Sequence, residues 1–355
     1  MELLSAMAAG GHDRVLAVQD RDTGLCAWIA LHHLRRGPAY GGIRVWSYRS
    51  EQEALRDALR LAQAMTYKCV LADVPGGGGK TVVLADRFRD RREAMEALGD
   101  AIESLAGAYQ AGPDVGFTPD DDAALHRRTR HIATFGGEQG SGGVRSAGEA
   151  TAEGAEWGIR AALAHLGTDE LDGVRVALQG LGSVGRALAR RLLAAGAEVC
   201  GADPDPVAVE AAEALGVRVV QPAVILDQPC DVLAPCALGG VVHDLTLSRL
   251  RTRVLAGVAN NVLSHAGQAE RLQQRGILFV PDFVLNAGAL IEGSGHARTG
   301  RTDWSEELQG IGRTVGQVLR RAEAEKRSTV ETALLMAQER LAEERSASAE
   351  RGADA

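Results

Sequence analysis

The 355 residues are enough for two domains, because a single domain usually holds about 100–200 residues. Apolar residues make up 45% of the chain and charged residues 24%, which is typical of a soluble globular protein. The net charge of −8, with no basic run, argues against a nucleic-acid partner, and no apolar stretch is long enough to span a membrane. We expect no secretory signal, and five scattered cysteines favour reduced thiols, a cytoplasmic location and no metal site.

The first half of the chain mixes predicted strands and helices. Its predicted elements are strands over 14–19 and 25–32 with a hairpin turn between them, a glycine turn at Gly41-Gly42, a helix from Ser50 to Ala64 with a Ser50–Glu53 capping box, a strand over 81–84 and a helix over 90–107. Four glycines, residues 76–79, directly precede Lys80 and the short strand.

The second half alternates short apolar runs with helical stretches. The predicted strands are residues 174–179, 198–203, 217–221, 231–234, 254–259 and 277–281, followed by helices over 304–324 and 328–344. Such alternation is typical of a parallel, doubly wound sheet. The polar, glycine-rich stretch 136–148 is the natural boundary between the two halves.

A glycine triplet follows the strand 174–179 and opens a helix. Gly180 allows a tight turn, Gly182 allows close approach to a pyrophosphate, and Gly185 allows helix and strand to pack closely. Asp203 ends the next strand, where a carboxylate accepts hydrogen bonds from a ribose and repels a 2′-phosphate. A plain turn, with Asp203 as a turn residue, is the simpler alternative, but the combined pattern favours dinucleotide binding and NAD over NADP.

Two lysines and an aspartate are candidates for acid–base chemistry. A single lysine is usually a solvated surface charge, but Lys80 sits between four glycines and an apolar strand. Desolvation there would lower its pKa and make it a usable general base. Lys68 ends a predicted helix, and Asp114 lies in a tight loop, where it could also be an ordinary turn residue.

Eight motifs occur in the order seen in the Glu/Leu/Phe/Val dehydrogenase family, which the chain resembles over about residues 10–295. They are Gly41-Gly42-Ile-Arg44, Met65-Thr-Tyr-Lys68, Gly77-Gly-Gly-Lys80, Asp114-Val-Gly116, the triplet from Gly180 to Gly185, Ala234-Pro-Cys-Ala-Leu-Gly239, Ala259-Asn-Asn261 and Pro281-Asp-Phe-Val-Leu-Asn-Ala-Gly288. The chain is most similar to the short leucine, valine and phenylalanine branch. The stretch Asp114–Asp122 is also similar to the tryptophan dehydrogenase group of that branch.

The resemblance implies an α/β protein of two domains with a cleft between them. The first, residues 1–140, would be an α/β substrate-binding and oligomerisation domain, and the second, residues 141–325, a Rossmann-type domain with a doubly wound parallel sheet that binds NAD. Residues 326–345 would form a C-terminal helix that packs back near the first domain, and residues 346–355 a frayed tail. Family members commonly assemble through the N-terminal domain, so a homo-oligomer is expected.

The resemblance also implies roles for individual residues. Lys80 would be the catalytic lysine that activates water, and Asp114 would shuttle a proton to and from the amino nitrogen. The substrate-binding residues would be Lys68 at the carboxylate, Gly41 and Gly42 in the carboxylate loop, and Asn261, with Tyr40, Pro113, Leu290 and Gly293 around the side chain. The cofactor-binding residues would be Gly180, Gly182, Ser183, Val184, Gly185, Asp203, Thr151, Ala237 and Asn261.

The chain departs from the family pattern in several places. The segment from Ser141 to Thr151 is longer than the family linker and lacks its prolines. Ala289 stands where a glycine is usual, and Glu292 where an asparagine is usual. Tyr40 replaces a small or aliphatic residue, and Gly293 would enlarge the pocket around the substrate side chain. Both changes favour a substrate with an unusual, aromatic side chain.

The sequence therefore predicts an NAD-dependent dehydrogenase that reversibly converts an apolar or aromatic L-amino acid to its 2-oxo acid and ammonia. Hydride transfer is a problem of positioning, which a fixed cation and an amine beside a carboxylate can solve. No additional cation lines the pocket to bind a second carboxylate, which argues against glutamate. Two alternatives stay open: a biosynthetic enzyme that mainly aminates a specialised 2-oxo acid, and a non-catalytic nucleotide-binding homologue.

Overall fold

A computed structural model describes residues 2–133, 145–237 and 239–353 and divides the chain into two compact units, Met1–Thr134 and Phe135–Ala355. The predictions made for residues 136–144 lie outside the described residues. Across the three described ranges, no helix combines the length and the apolar character needed to cross a membrane.

The first unit is an α/β sheet structure. Its strands are β1 (Arg14–Asp20), β2 (Leu25–Leu31), β3 (Ala39–Tyr40), β4 (Ile43–Trp46), β5 (Gly77–Leu84) and β6 (Tyr109–Gln110). Its helices are α1 (Leu3–Gly10), α2 (Glu51–Leu71), α3 (Arg91–Glu103) and α4 (Pro119–His126). The strand order is β1-β2-β5-β3-β6, with β4 also paired to β5, so β5 lies at the centre.

The predicted hairpin and the helix α2 are confirmed. Strands β1 and β2 pair antiparallel, from Arg14 opposite Leu31 to Asp20 opposite Leu25. Helix α2 begins after Ser50, whose side chain accepts a hydrogen bond from the Glu53 amide. The Glu53 carboxylate binds the Arg49 amide instead of completing the capping box. The helix continues past Ala64 to Leu71, which places Lys68 in its last turn.

Three of the four glycines before Lys80, residues 77–79, belong to strand β5. A side chain at Gly77 would overlap the His33 carbonyl, and one at Gly78 would overlap backbone atoms of Ala62 and Thr66 in α2. The close approach that these glycines permit is therefore made by the protein's own backbone. It holds the central strand against α2.

The turn predicted at Gly41-Gly42 was wrong. Strands β3 and β4 both run parallel to β5, with Tyr40 opposite Gly78 and Ile43 opposite Thr81. The two glycines connect these segments along one edge of β5 without reversing the chain. A side chain at Gly41 would overlap the Gly79 carbonyl, so the contact requires glycine.

The second unit is built on a parallel sheet. Its strands are β7 (Arg175–Gln179), β8 (Glu198–Ala202), β9 (Arg218–Val219), β10 (Val232–Pro235), β11 (Val254–Leu255) and β12 (Leu278–Phe279). Its helices are α5 (Ala147–His165), α6 (Ser183–Ala194), α7 (Pro206–Glu213), α8 (Asp244–Leu247), α9 (Gly267–Gln274), α10 (Asp282–Leu285), α11 (Gly288–Thr299), α12 (Ser305–Glu325) and α13 (Thr329–Ala353).

All six strands predicted for this half are present, and the predicted α/β class with a doubly wound sheet is confirmed. The order is β12-β11-β10-β7-β8-β9, and every neighbouring pair is parallel. From β7 the chain adds β8 and β9 on one side, and from β10 it adds β11 and β12 on the other side. The sheet therefore has its switch point between β7 and β10, the place where open α/β sheets bind ligands.

The C-terminal region contains the two predicted helices, α12 and α13. Helix α13 continues to Ala353, whereas the sequence suggested that the helix ends at residue 345 and a frayed tail follows. Val330 of α13 packs against the apolar core of the second unit.

The packing of α2 on β5 generates a prediction for stability. We expect Gly78→Ala to lower the free energy of unfolding by about 3 kcal/mol or more, because two rigid backbone segments must move apart. Gly310→Ala, in the second turn of α12, is the control. Its new methyl group would meet only the end of the Arg313 side chain, so it should be neutral or stabilise by about 0.5–1 kcal/mol. Denaturant unfolding that leaves Gly78→Ala as stable as the wild type would contradict this packing.

Candidate active site

A buried ion pair forms the centre of the candidate site in the first unit. Lys80 lies on β5 and is 6% exposed, and its Nζ is 2.6 Å from Oδ2 of Asp114. Asp114 follows β6 in a half-buried loop that is anchored by a bond from the Ile43 amide to the Gly112 carbonyl. Gly42 lies against both members, since a side chain there would come within 3.3 Å of Nζ. The structure thus brings together Lys80, Asp114 and the Gly41-Gly42 segment.

The surroundings of the pair lower the pKa of both members. Burial lowers the pKa of the Lys80 ammonium below its usual value, although attraction to Asp114 opposes the change. For Asp114, burial would raise the pKa of the carboxyl, but the positive charges of Lys80 and Arg44 outweigh it and hold the pKa below its usual value. A lysine that loses its proton readily beside a carboxylate can exchange protons with a bound substrate.

Arg44 is a functional candidate that the sequence reasoning quoted but assigned no role. Its Nε donates to the same Asp114 oxygen, at 3.1 Å, and its Nη1 donates to Asp57 at 3.0 Å. Asp57 also accepts from the Tyr48 hydroxyl at 2.7 Å and from Arg60 at 2.8 Å. Asp57 and Arg60 lie on α2, so the helix fixes the arginine that faces Asp114. The available signal was an arginine two residues after the glycine pair, as the second residue of β4.

Two hydroxyl groups hold the backbone around the site. The Tyr109 hydroxyl donates to the Gly41 carbonyl at 2.9 Å, and the ring is fully buried. The Thr66 hydroxyl accepts from the Gly78 amide at 2.8 Å. Because Thr66 lies two residues before Lys68 and Gly78 two residues before Lys80, this bond joins the segments that carry the two lysines.

The remaining candidates of this unit differ in exposure. Lys68 is half-buried in the last turn of α2 and Pro113 is exposed beside Asp114. Tyr40 is 7% exposed, and its ring lies where a side chain at Gly76 would be. The Tyr40 ring therefore packs on the glycine segment of its own unit.

In the second unit the glycine triplet forms the turn that the sequence predicts. Gly180 has a φ of 102° and packs on Ala237, and a side chain at Gly185 would overlap the Gly180 carbonyl. At Gly182 no described atom lies within 4 Å of the position that a side-chain carbon would take, so the turn leaves room for a ligand. Gly182 caps α6 without a side chain, and Ser183 and Val184 begin the helix. These residues fit the pyrophosphate of a dinucleotide, which the amides at a helix N-terminus bind.

Asp203 lies at the carboxyl end of β8, next to this turn. Its Oδ2 accepts from the Leu181 amide at 2.7 Å and its Oδ1 from the Asp205 amide at 2.9 Å. These two bonds fix the carboxylate and leave further acceptor positions on both oxygens. The residue can therefore accept hydrogen bonds from a ribose.

Helix α5 brings Thr151 into the neighbourhood of the glycine turn. The helix begins after Ser146, whose side chain accepts from the Glu149 amide. Gly148 packs on Ser183, so the first turn of α5 touches the start of α6, and Thr151 follows one turn later with 8% exposure.

Asn261 lies in a loop after β11 with a left-handed φ of 54°, and its amide donates to Asp282 at 2.6 Å. Its carbonyl accepts from the Gly240 amide, which joins this loop to the one that carries Ala237. Leu290 and Gly293 are half-buried in the first two turns of α11. Apart from Thr151 on α5, the second-unit candidates therefore lie beyond the carboxyl ends of strands or in the helices that follow.

Two buried amide oxygens identify residues that the sequence reasoning missed. Oε1 of Gln179, directly before Gly180, and Oδ1 of Asn286 have no hydrogen-bond partner among the described residues. The amide nitrogen of Asn286 is held by Asn260 at 2.8 Å. Buried polar atoms normally have partners, so a ligand that donates hydrogen bonds could satisfy both oxygens. Within the described ranges, no group of three metal-ligating side chains could hold a metal ion.

Comparison with known protein families matches both units. The model of the Glu/Leu/Phe/Val dehydrogenase dimerisation domain matches residues 12–131, and that of Glutamate/Leucine/Phenylalanine/Valine dehydrogenase matches residues 205–350. The NAD-binding domain of D-isomer specific 2-hydroxyacid dehydrogenases matches residues 144–238, which contain the glycine turn. The second unit is therefore a nicotinamide-dinucleotide-binding domain.

Curated relatives cover most of the chain. Leucine dehydrogenase from Geobacillus stearothermophilus is 42% identical over 294 residues, which are 82% of this chain and 80% of that protein. Phenylalanine dehydrogenase from Caldalkalibacillus thermarum is 38% identical over 93% of this chain and 91% of its own. L-tryptophan dehydrogenase from Nostoc punctiforme is 38% identical over 82% of each.

The solved structures agree with these relatives. The crystal structure of L-tryptophan dehydrogenase from Nostoc punctiforme superposes with a TM-score of 0.84 at 32% identity and covers 96% of this chain and 98% of that chain. A hetero-hexameric glutamate dehydrogenase from Thermus thermophilus shares the fold, with a TM-score of 0.74 at 23% identity over 96% of this chain and 94% of that one. The resemblance read from the motifs is thus confirmed, and the chain belongs to the Glu/Leu/Phe/Val dehydrogenase family.

Proposed function

We propose that the protein oxidatively deaminates an apolar or aromatic L-amino acid, with NAD as the oxidant. The observation that carries this function is the buried pair of Lys80 and Asp114, 2.6 Å apart, in a chain that also has the glycine turn for a dinucleotide. A nucleotide-binding protein without catalysis has no need to keep an ammonium buried on its central strand, because burying a charge is costly.

The reaction converts an L-amino acid, NAD⁺ and water to a 2-oxo acid, ammonia, NADH and a proton. When bound, NAD accepts the hydride from Cα of the amino acid. The chain's own residues must then fix the carboxylate, remove protons and supply an activated water.

The lysines and the aspartate divide these tasks. We assign Lys68 to the substrate carboxylate, with the Gly41-Gly42 segment beside it. Asp114 takes up and returns the proton of the amino nitrogen. Lys80 accepts a proton at Nζ from the attacking water, because burial lowers the pKa of its ammonium. The short contact between Lys80 and Asp114 allows a proton to pass between them.

Four residues are proposed to face the substrate side chain: Tyr40, Pro113, Leu290 and Gly293. None of the four carries a charge, so a second carboxylate would have no cation to bind. Glycine at position 293 leaves volume for a large group, and the relatives are named for leucine, phenylalanine and tryptophan. We therefore propose an apolar or aromatic substrate. Because the reaction is reversible, amination of a specialised 2-oxo acid remains the second candidate function.

Asp203 supports NAD over NADP, since a carboxylate fixed by two amides would repel a 2′-phosphate. Thr151, Ala237 and Asn261 are proposed as further cofactor-binding residues, with Asn261 also contacting substrate. Assembly as a homo-oligomer is proposed from the dimerisation-domain match over residues 12–131. The cytoplasmic location stays a prediction from the sequence.

The function is tested by measuring NADH formation with each protein L-amino acid at alkaline pH, for the wild type and for Lys80→Ala. We expect leucine, valine, phenylalanine or tryptophan to react. Lys80→Ala should lower kcat by at least about 10²-fold, while the dissociation constant of NADH changes little. Wild-type protein that binds NADH but oxidises none of them would favour the non-catalytic alternative. Near-normal turnover by Lys80→Ala would reject the mechanism.

Arg44 generates a prediction for the pH dependence. Its positive charge lowers the pKa of Lys80 and of Asp114. In Arg44→Met the Lys80 ammonium should hold its proton more tightly, so deamination should require a higher pH. We expect the acidic limb of the profile of kcat/KM to move upward by about one pH unit.

The control for this prediction is Arg60→Met, which also removes a cation from Asp57 but lies at the exposed end of the network. In Arg60→Met the acidic limb of the pH profile of kcat/KM should not move. Arg44→Lys retains the positive charge but lacks the planar guanidinium that binds two carboxylates at once. Compared with Arg44→Met, it should therefore restore the pH profile of kcat/KM more fully than it restores kcat. Equal shifts for Arg44→Met and Arg60→Met would mean that the contact with Asp114 is unimportant.

Asp203 generates a prediction for cofactor choice. The wild type should prefer NAD, and Asp203→Ala should weaken NAD binding and narrow the ratio of kcat/KM between NAD and NADP by about tenfold, as expected for one lost charge–phosphate repulsion. Asp205→Asn is the matched control, because asparagine preserves the cap that Asp205 gives α7 while removing a nearby charge. Equal use of both cofactors by the wild type would contradict the assignment.

A further inference from the structure

The second unit contains a contact between Arg145, which directly precedes the N-cap residue of α5, and Glu292 in the second turn of α11. Arg145 donates from Nη2 to Glu292 Oε2 at 2.7 Å and from Nε to the same oxygen at 3.1 Å. Its backbone amide donates to Glu292 Oε1 at 3.0 Å. Its Nη1 reaches Glu153 of α5 at 2.5 Å. One arginine thus binds two helices through four donors.

The two carboxylates that Arg145 binds are buried. Glu292 is 2% exposed and Glu153 is 6% exposed. The ion pairs continue as an alternating series of three acids and three bases: Glu292, Arg145, Glu153, Arg191, Glu156 and Arg160. The series is neutral as a whole, which is how buried charges are tolerated. Removing one charged side chain would leave the oppositely charged side chain next to it without that partner charge.

The contact joins two segments that carry proposed site residues. Glu292 lies between Leu290 and Gly293 on α11, and Glu153 is on the same helix as Thr151. At the start of α11, Gly288 already packs directly on the backbone of Ala150 and Thr151. Backbone contact at Gly288 fixes the distance between the helices, and the ion pair one turn later fixes the rotation of α11 about its axis.

We infer that Arg145 and Glu292 are positioning residues that set the substrate-facing side of α11 relative to Thr151, and so determine which side chains the enzyme accepts. The inference rests on the proposed function of Leu290 and Gly293 in the side-chain pocket. Neither Arg145 nor Glu292 is assigned a contact with substrate. Both positions lie where the chain departs from the family pattern, in the segment 141–151 and at the position where an asparagine is usual. The two departures are therefore one feature of the structure.

The test compares Glu292→Gln, which removes the charge and keeps the shape, with Glu292→Asp, which keeps the charge. The control is Glu149→Gln, which breaks the ion pair of the first turn of α5 with Arg190, at 2.6 Å, without involving α11. For each variant, kcat and KM are measured with a small and a large apolar amino acid, together with the dissociation constant of NADH.

In Glu292→Gln we expect the ratio of kcat/KM between the two substrates to change by at least about fivefold, the scale of one misplaced methylene contact. Glu292→Asp should restore part of the wild-type ratio, and Glu149→Gln should leave the ratio unchanged. In each variant the dissociation constant of NADH should change by less than about twofold, since the glycine turn is untouched. A lower melting temperature with an unchanged ratio would overturn the inference, because it would show a purely structural role. A wild type that oxidises no amino acid would instead overturn the proposed function.

Amide hydrogen exchange tests the positioning without any substrate. Residues 288–293 should exchange at least about tenfold faster in Glu292→Gln than in the wild type, because α11 loses its second attachment to α5. Exchange in Glu149→Gln should be unchanged there. Unchanged exchange of this segment in Glu292→Gln would overturn the inference whatever the activity of the protein.

Discussion

The burial of a single ammonium group governs the architecture of the first unit. Lys80 lies on a strand whose residues are all buried, and an ion in that position is tolerated only when it is paired. Asp114 supplies the opposite charge, Arg44 keeps Asp114 ionised, and Asp57 fixes Arg44 from α2. One network of ion pairs thus connects the sheet, the loop after β6 and the helix.

The same constraint sets the acid–base properties of the candidate site. Burial lowers the pKa of Lys80, and an arginine on the far side of Asp114 lowers it further. A lysine in water would stay protonated through the neutral range. The second unit achieves binding by different means, because the turn at Gly180–Gly185 offers backbone amides and open space and not side-chain charge. The first unit therefore shifts the pKa of an ionisable side chain, and the second presents backbone amides to a dinucleotide.

Much of this arrangement could be predicted from the sequence, because it depends on local patterns. All six strands of the parallel sheet, the hairpin and the glycine turn were predicted from periodicity and turn chemistry, and Lys80 and Asp114 from the ordered motifs. What could not be predicted depends on contacts between distant segments. The sequence shows four glycines before Lys80, but only the structure shows that α2 crosses Gly78 at backbone distance. Arg44 and the contact of Arg145 with Glu292 were missed for the same reason, since their partners lie 70 and 147 residues away.

The run of glycines in β5 also bears on how the first unit folds. Glycine has a large conformational entropy in the unfolded chain, so three in succession give this strand little tendency to form early. Its pairing with β2 and β3 joins segments far apart in sequence, and such contacts form slowly. In the folded unit the strand is covered by α2, which contacts Gly78 at backbone distance. Completion of the core and assembly of the Lys80–Asp114 pair therefore depend on the same strand, and a first unit in which β5 is unpaired would lack the pair.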